Sequence, residues 1–229
     1  MILAAGVGER MRPLTDRQPK PMLEAGGKPL IQWLIERLVA AGWTELVINL
    51  AHLGMQIEHY LGDGRALGAS IAYSREPAPL ETAGGIATAL PLLGEGPFLT
   101  VNGDLYCDYP FAQLRDAAQR MGTQGLLGHL VLVNNPAHHP EGDFALREGR
   151  ISATGAPRYT FSGIGLYDSK LFADTRAHER AKLAPLLFKA AAIDRLSGEI
   201  FQGEWRDIGT PDRLAALDRV LKSGNAKNP

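Results

Sequence analysis

Met1-Ile-Leu-Ala-Ala5-Gly6-Val7-Gly8-Glu9-Arg10-Met11-Arg12-Pro13-Leu14-Thr15 opens the chain, with Lys20-Pro21-Met-Leu and Gly27-Lys28-Pro29-Leu30 close behind. A short apolar run gives way to small residues, a pair of glycines and then the cations Arg10, Arg12 and Lys20. Glycines let backbone approach a bulky anion and aim N–H groups at it, while Arg and Lys neutralise phosphate charge. The pattern predicts a strand that ends in a loop built to hold a polyphosphate. Spacing excludes two other phosphate loops. A dinucleotide fingerprint needs a third glycine where Met11 stands, and a Walker loop needs Gly-Lys-Ser/Thr, which this stretch lacks.

Working outward, apolar runs alternate with helical patterns. Ile2–Ala4 reads as the first strand. Leu30, Ile31, Leu34, Ile35, Leu38 and Val39 recur at three and four, an amphipathic helix closed by Gly42. Leu46–Leu50 is a strand, Met55–Leu61 a helix, Ser70–Ser74 a strand, Ala83–Leu93 a helix and Phe98–Asn102 a strand. Such alternation implies right-handed crossovers and a mainly parallel, Rossmann-like α/β sheet flanked by helices. Ligands on these sheets gather at the carboxyl ends of strands, where both Gly6-Val7-Gly8 and Asn102-Gly103-Asp104 fall. Further on come a helix at Phe111–Arg120, a strand at Leu127–Val133 and a hairpin around Glu148-Gly149. Strands at Thr160–Tyr167 and Glu199–Gln202 flank a helix at Leu183–Ile193, and Thr210-Pro211 caps a last helix. The polar tail, Ser223–Pro229, is expected to fray. No linker or repeat divides the chain, so a single domain is expected over 1–229, in two parts at about 1–108 and about 109–229.

Composition narrows the class. The chain has 229 residues, 45% hydrophobic and 21% charged, with a formal charge of −1 spread along its length. Nothing marks a nucleic-acid face, and no apolar run nears the roughly 20 residues of a membrane span. The lone Cys107 rules out an intrachain disulfide and fits a reducing cytosol, so a cytoplasmic location is expected. With no base partner, Cys107 reads as a small packing residue.

Three further clusters carry chemistry. Asp104, after the strand Phe98–Val101, reads alone equally as an Asx-turn residue or as a ligand for a hard cation. A second carboxylate, Asp207, sits in Trp205-Arg-Asp207-Ile-Gly209-Thr210. Leu80-Glu81-Thr82-Ala-Gly84-Gly85 offers small residues at a helix start, suited to a flat base, with Thr82 as a possible cap. Gly142-Asp143-Phe144 and Phe161-Ser162-Gly163 lie in the second half. His138-His139 is read as a loop pair, because adjacent side chains diverge and no third metal ligand is evident.

The opening stretch, the two Lys-Pro pairs and these clusters together resemble the sugar-1-phosphate nucleotidyltransferases over nearly the whole chain. The resemblance implies an enzyme of small-molecule substrates, UTP and a sugar 1-phosphate, with no nucleic-acid or membrane partner. Oligomeric state is not legible. By resemblance Arg10 and Lys20 are catalytic, and Ala5, Gly6, Val7, Gly8, Lys20, Glu81, Thr82, Gly85 and Asn102 bind nucleotide. Gly142, Asp143, Ser162 and Gly163 bind the sugar phosphate, and Asp104 with Asp207 hold Mg²⁺. Both carboxylates lack an evident cationic partner in sequence and are expected to converge through the metal. Glucose-type members carry Glu-Lys-Pro after the hairpin, whereas this chain runs Thr154-Gly-Ala-Pro157-Arg158. Through Gly142-Asp143-Phe144, Thr160-Phe161-Ser162-Gly163 and Lys182-Leu183-Ala184-Pro185-Leu186 the resemblance implies N-acetylmuramate 1-phosphate as the sugar, whose lactyl anion Arg158 or backbone N–H groups would serve; mannose 1-phosphate with GTP is the alternative. A few residues ahead of Met1 are expected, as is the absence of a C-terminal left-handed β-helix. A catalytically silent sensor is disfavoured because every charge-stabilising position is filled. An NAD-linked oxidoreductase is disfavoured because Val47-Ile-Asn49-Leu50 offers no acid for a ribose.

Overall fold

The computed structural model describes residues 1–224. Strand β1 (Ile2–Leu3) enters a loop of 3₁₀ turns, followed by β2 (Glu24–Ala25), β3 (Lys28–Pro29) and helix α1 (Leu30–Ala40). Next come β4 (Glu45–Leu50), α2 (Gly54–Leu61), β5 (Ser70–Arg75), α3 (Glu81–Leu93), β6 (Phe98–Asn102) and β7 (Leu105–Cys107). Then follow α4 (Leu114–Gln124), β8 (Gly128–Val133), β9 (Phe144–Arg147), β10 (Arg150–Ser152) and β11 (Arg158–Tyr167). The last elements are α5 (Leu183–Ala192), β12 (Leu196–Phe201), β13 (Trp205–Asp207) and α6 (Pro211–Lys222). Of the tail expected to fray, residues 225–229 lie outside the described residues. Among the described residues no helix is long and apolar enough to cross a membrane.

The chain folds as two compact units. The first comprises Met1–Pro79, Asn102–Ala112 and the segment from Glu204 onward; the second comprises Leu80–Val101 and Gln113–Gly203. In the first, β5, β4 and β1 pair side by side and in parallel, as the helix-strand alternation requires. The short strands β7 and β13 pair antiparallel, Trp205 against Cys107 and Asp207 against Leu105. A core cluster ties these pieces together: Met11, Leu23, Ala25, Leu30, Trp33, Tyr106, Ile208, Leu214 and Leu217. Met11 adjoins Arg10, Tyr106 follows Asp104 by two, and Ile208 adjoins Asp207, so one patch of apolar packing positions three candidate site residues. Full burial of each such large side chain contributes about 1.5–3 kcal/mol.

In the second unit the strand order is β6-β11-β8-β12-β10-β9, with β11 also touching β9. Parallel pairing holds for β8 with β12, but β11 runs antiparallel to β6, β8 and β9. The periodicity that marks a strand carries no direction, which is why this reversal was not legible. A bulge interrupts the β11–β8 register between Phe161 and Ile164, and Gly163 there takes φ +83°.

Candidate active site

In the first unit, β1 gives out after Leu3 and the glycine loop begins. Gly8 takes φ +69°, a conformation that favours glycine, and a Cβ there would press to 2.9 Å on Thr15 Cγ2 and 3.2 Å on Lys20 Cβ. Thr15 Oγ1 donates to Gly8 O at 2.9 Å, and Met11 N–H returns to Gly8 O at 2.8 Å. The loop is thus folded back on itself, with the Lys20 stem packed against Gly8. The Lys20 ammonium lies on Asp104 Oδ2, an ion pair largely shielded from water.

Asp104 reaches this place because Gly103 N–H donates to Leu3 O at 2.9 Å, laying the Asn102-Gly103-Asp104 turn beside β1. Asp207 comes from the facing strand, where Ile208 N–H donates to Asp104 O at 3.2 Å. Arg213 Nη1 donates to Asp207 Oδ2 at 3.1 Å and to Asp207 O at 3.3 Å. A Cβ on the buried Gly209 would stand 3.3 Å from Asp207 Oδ2, 3.3 Å from Arg10 Nη2 and 3.2 Å from Arg213 Nη1. Arg10, Asp207 and Arg213 therefore converge around Gly209, while Lys20 pairs with Asp104 on the backbone that adjoins Ile208. The expectation that the two carboxylates lack cationic partners is corrected: Lys20 holds Asp104 and Arg213 holds Asp207. Arg213, missed in sequence, had a signal. A cation in the first turn of a helix opposes the helix dipole and calls for a nearby anion.

The donor set suits a hard divalent cation. Among the described residues no group of three or more His, Cys, Asp or Glu could cage a metal. Two carboxylates beside a phosphate-ready loop match an ion that takes one or two carboxylates and completes its octahedron with phosphate and water. Two other sequence features resolve as framework. Lys28 Nζ lies 3.8 Å over the Trp33 ring and 2.5 Å from Glu36 Oε2, so the second Lys-Pro anchors α1. Cys107 is buried, and desolvation pushes its thiol up to about 11.

In the second unit, the start of α3 is occupied by chain. Ala83 and Gly84 N–H groups both donate to Ala181 O, at 2.9 and 3.1 Å, and Ala181 N–H donates to Leu80 O at 3.0 Å. A Cβ on Gly84 would fall 2.1 Å from Glu179 O, so Gly84 is small because the segment 179–181 crosses it. Thr82 does not cap the helix; Leu80 stands at that position, without a side-chain cap. Glu81 pairs with Arg180 at 3.1 Å on the surface, and Gly85 is buried in the first turns.

The sugar-side residues knot the β9–β11 region. Asp143 Oδ2 accepts from Phe161 N–H at 2.8 Å, Oδ1 stands 3.1 Å from His139 Nε2, and Asp143 O accepts from Arg158 Nη2 at 2.6 Å. His139 is thus a partner of Asp143. Arg158 spends its guanidinium on the carbonyls of Asp143 and Ala153. Gly142, at φ +61°, leaves room for Asn135 Oδ1, which a Cβ would approach to 2.7 Å. Ser162 is buried, donating to Val131 O at 2.7 Å and accepting from Ile164 N–H at 3.1 Å, so its hydroxyl braces the bulge that carries Gly163.

An α/β chain whose first strand delivers a cationic glycine loop to a pair of carboxylates is built for phosphate transfer chemistry. The chain belongs to the nucleotidyl transferase family, whose profile matches residues 1–223. It is 53% identical over 218 residues to the N-acetylmuramate alpha-1-phosphate uridylyltransferase of Neisseria meningitidis serogroup B, covering 93% of this chain and 94% of that one. To the mannose-1-phosphate guanylyltransferase catalytic subunit beta of Dictyostelium discoideum it is 31% identical, spanning all of this chain and 66% of that protein. In fold it is similar to the crystal structure of a glucose-1-phosphate thymidylyltransferase from Bacillus anthracis, with a TM-score of 0.82 at 21% identity, covering 96% and 94% of the two chains.

Proposed function

We infer that this chain transfers a uridylyl group from UTP to N-acetylmuramate 1-phosphate, yielding UDP-N-acetylmuramate and pyrophosphate, in cytoplasmic recycling of cell-wall sugar. The observation that carries the reading is the 53% identity, across 93% of the chain, to a relative named for that reaction. The guanylyltransferase relative is more distant, at 31%.

The reaction needs no covalent intermediate. A sugar-phosphate oxygen attacks the α-phosphorus of the triphosphate and pyrophosphate leaves in line, so the protein's work is positioning and charge stabilisation. In this reading Ala5, Gly6, Val7 and Gly8 offer backbone N–H groups to the triphosphate. Arg10 neutralises the departing pyrophosphate, and Lys20 brings positive charge to the reacting phosphates from its seat on Asp104. Family members work with a divalent cation. Magnesium is the ion proposed here, held by Asp104 and Asp207, and when bound it supplies Lewis-acid polarisation of a phosphate. Asn102, Glu81, Thr82 and Gly85 take the nucleoside; Gly142, Asp143, Ser162 and Gly163 take the sugar phosphate.

Pyrophosphate release across four nucleoside triphosphates and several sugar 1-phosphates tests the reading. UTP with N-acetylmuramate 1-phosphate should be fastest, and excess chelator should abolish turnover. Undiminished turnover in chelator, or none with any sugar 1-phosphate, contradicts it.

A further inference from the structure

β1 and β4 run parallel, Ile2 against Ile48 and Leu3 against Asn49. At the next residue the backbone leaves the ladder, and a side chain takes over its hydrogen bond. Ala4 N–H donates to Asn49 Oδ1 at 2.8 Å. The other end of that amide, Nδ2, donates to Glu76 Oε1 at 2.7 Å. Asn49 is only 4% exposed and Glu76 6%. Glu76 is itself placed by its own N–H, which donates to Leu50 O at 2.8 Å.

The chemistry of the pair fixes its direction. A side-chain amide has two ends of nearly equal size, one donor and one acceptor, and could sit either way round. A carboxylate only accepts, so Glu76 admits the NH₂ end and turns the carbonyl end toward Ala4. Burying such a pair costs solvation that an apolar residue at either position would avoid. Packing alone does not call for an Asn amid Val47, Ile48 and Leu50.

We propose that Asn49 and Glu76 are positioning residues for the polyphosphate loop. The relay from Glu76 through Asn49 to the Ala4 amide fixes where the chain turns from strand to loop, and so where the N–H groups of Ala5, Gly6 and Gly8 are aimed. The proposal rests on the reading of that loop as the triphosphate cradle.

Asn49→Asp sets two carboxylates against each other and should raise both the calorimetric Kd and the KM for UTP about 10-fold or more, leaving the sugar-phosphate KM within about twofold. Glu76→Gln keeps an acceptor toward Asn49 and should bind UTP within about threefold of wild type. Combining the two reverses donor and acceptor: the new carboxylate accepts from Ala4 N–H and from the new amide, at unchanged net charge. UTP affinity should then return to within about threefold of wild type. A folded Asn49→Asp protein with wild-type UTP affinity, a double variant no better than the single, or equal losses toward both substrates overturns the relay. Arg10→Ala separates this from the parent reading. If it weakens UTP binding while the Asn49 series does not, the loop stands and the relay falls; if neither moves UTP affinity, both fall.

Discussion

Gly209→Ala isolates geometry from folding. Gly209 is buried between Asp207 and the Thr210 cap of α6, and its backbone lies outside the left-handed region. An added methyl would stand 3.2 Å from Arg213 Nη1 and 3.3 Å from both Arg10 Nη2 and Asp207 Oδ2. Comfortable contact begins at about 3.5 Å, so all three charged groups must retreat by a few tenths of an ångström. Each is the end of a flexible side chain, and the fold can yield. Replacing Gly by Ala on compatible backbone stabilises by about 0.4–1 kcal/mol, which offsets the crowding and leaves the melting temperature nearly unchanged. The chemistry has less latitude. Misplacement on the scale of 1 Å can cost about 10²-fold, so a shift of a few tenths should lower kcat/KM about 10-fold, equivalent to about 1.4 kcal/mol. Continuous pyrophosphate release and a thermal melt, run on the same preparation, decide it. Wild-type kinetics with the methyl in place would refute the claim that Arg10 and Asp207 work as one constellation; a parallel collapse of the melt would assign the loss to folding.

Asp104→Asn and Asp207→Asn should each lower kcat about 10²-fold or more while the protein stays folded, and each should weaken Mn²⁺ binding by calorimetry; wild-type metal affinity in either variant would remove that residue from the metal site. Gly84→Ala drives a methyl into Glu179 O and should cost about 1–3 kcal/mol in urea unfolding, with faster proteolysis at 176–182; an unchanged midpoint would mean that this segment does not pack as described. Burial raises the Cys107 thiol to about 11 from its ordinary 9.0, so the folded state keeps a proton that the unfolded state sheds in between. Stability should be fully present below about pH 9 and fall by about 2–3 kcal/mol as pH approaches 11. Buried Tyr167, also raised by desolvation, acts in the same direction at higher pH. Cys107→Ala should flatten the decline between pH 9 and 11, and an identical slope in that variant would contradict the assignment.

What sequence revealed and what it hid divide along contact range. Apolar periodicity located α1, β4, α3 and β6 within a residue or two, because burial of one face is a local pattern. The turn at the glycine loop was legible because Gly8 takes φ +69°, a backbone conformation that restricts the residue type there. Pairings between distant residues were not. Lys20 and Asp104 lie 84 positions apart, and they meet through the Gly103–Leu3 hydrogen bond and the packing of Met11 and Leu23 on Tyr106. The same holds for Gly84, whose small size answers to the carbonyl of Glu179. The β7–β13 pair is three residues on each side, too short to show periodicity, yet it sets the two carboxylates on adjoining backbone. Asp143 read as a sugar ligand from its motif. The structure adds a framework duty through Phe161 N–H and His139, which its flanking residues could not announce.

The most direct test of the account is the ratio of kcat/KM for UTP with N-acetylmuramate 1-phosphate to that for GTP with mannose 1-phosphate, measured by pyrophosphate release on one enzyme preparation with magnesium. The account predicts that the uridylyl pair is favoured by about 10²-fold or more, since a site built to hydrogen-bond one base and one sugar leaves buried polar groups unpaired with the other. A ratio at or below one would contradict the substrate assignment while leaving the nucleotidyl transfer reaction in place.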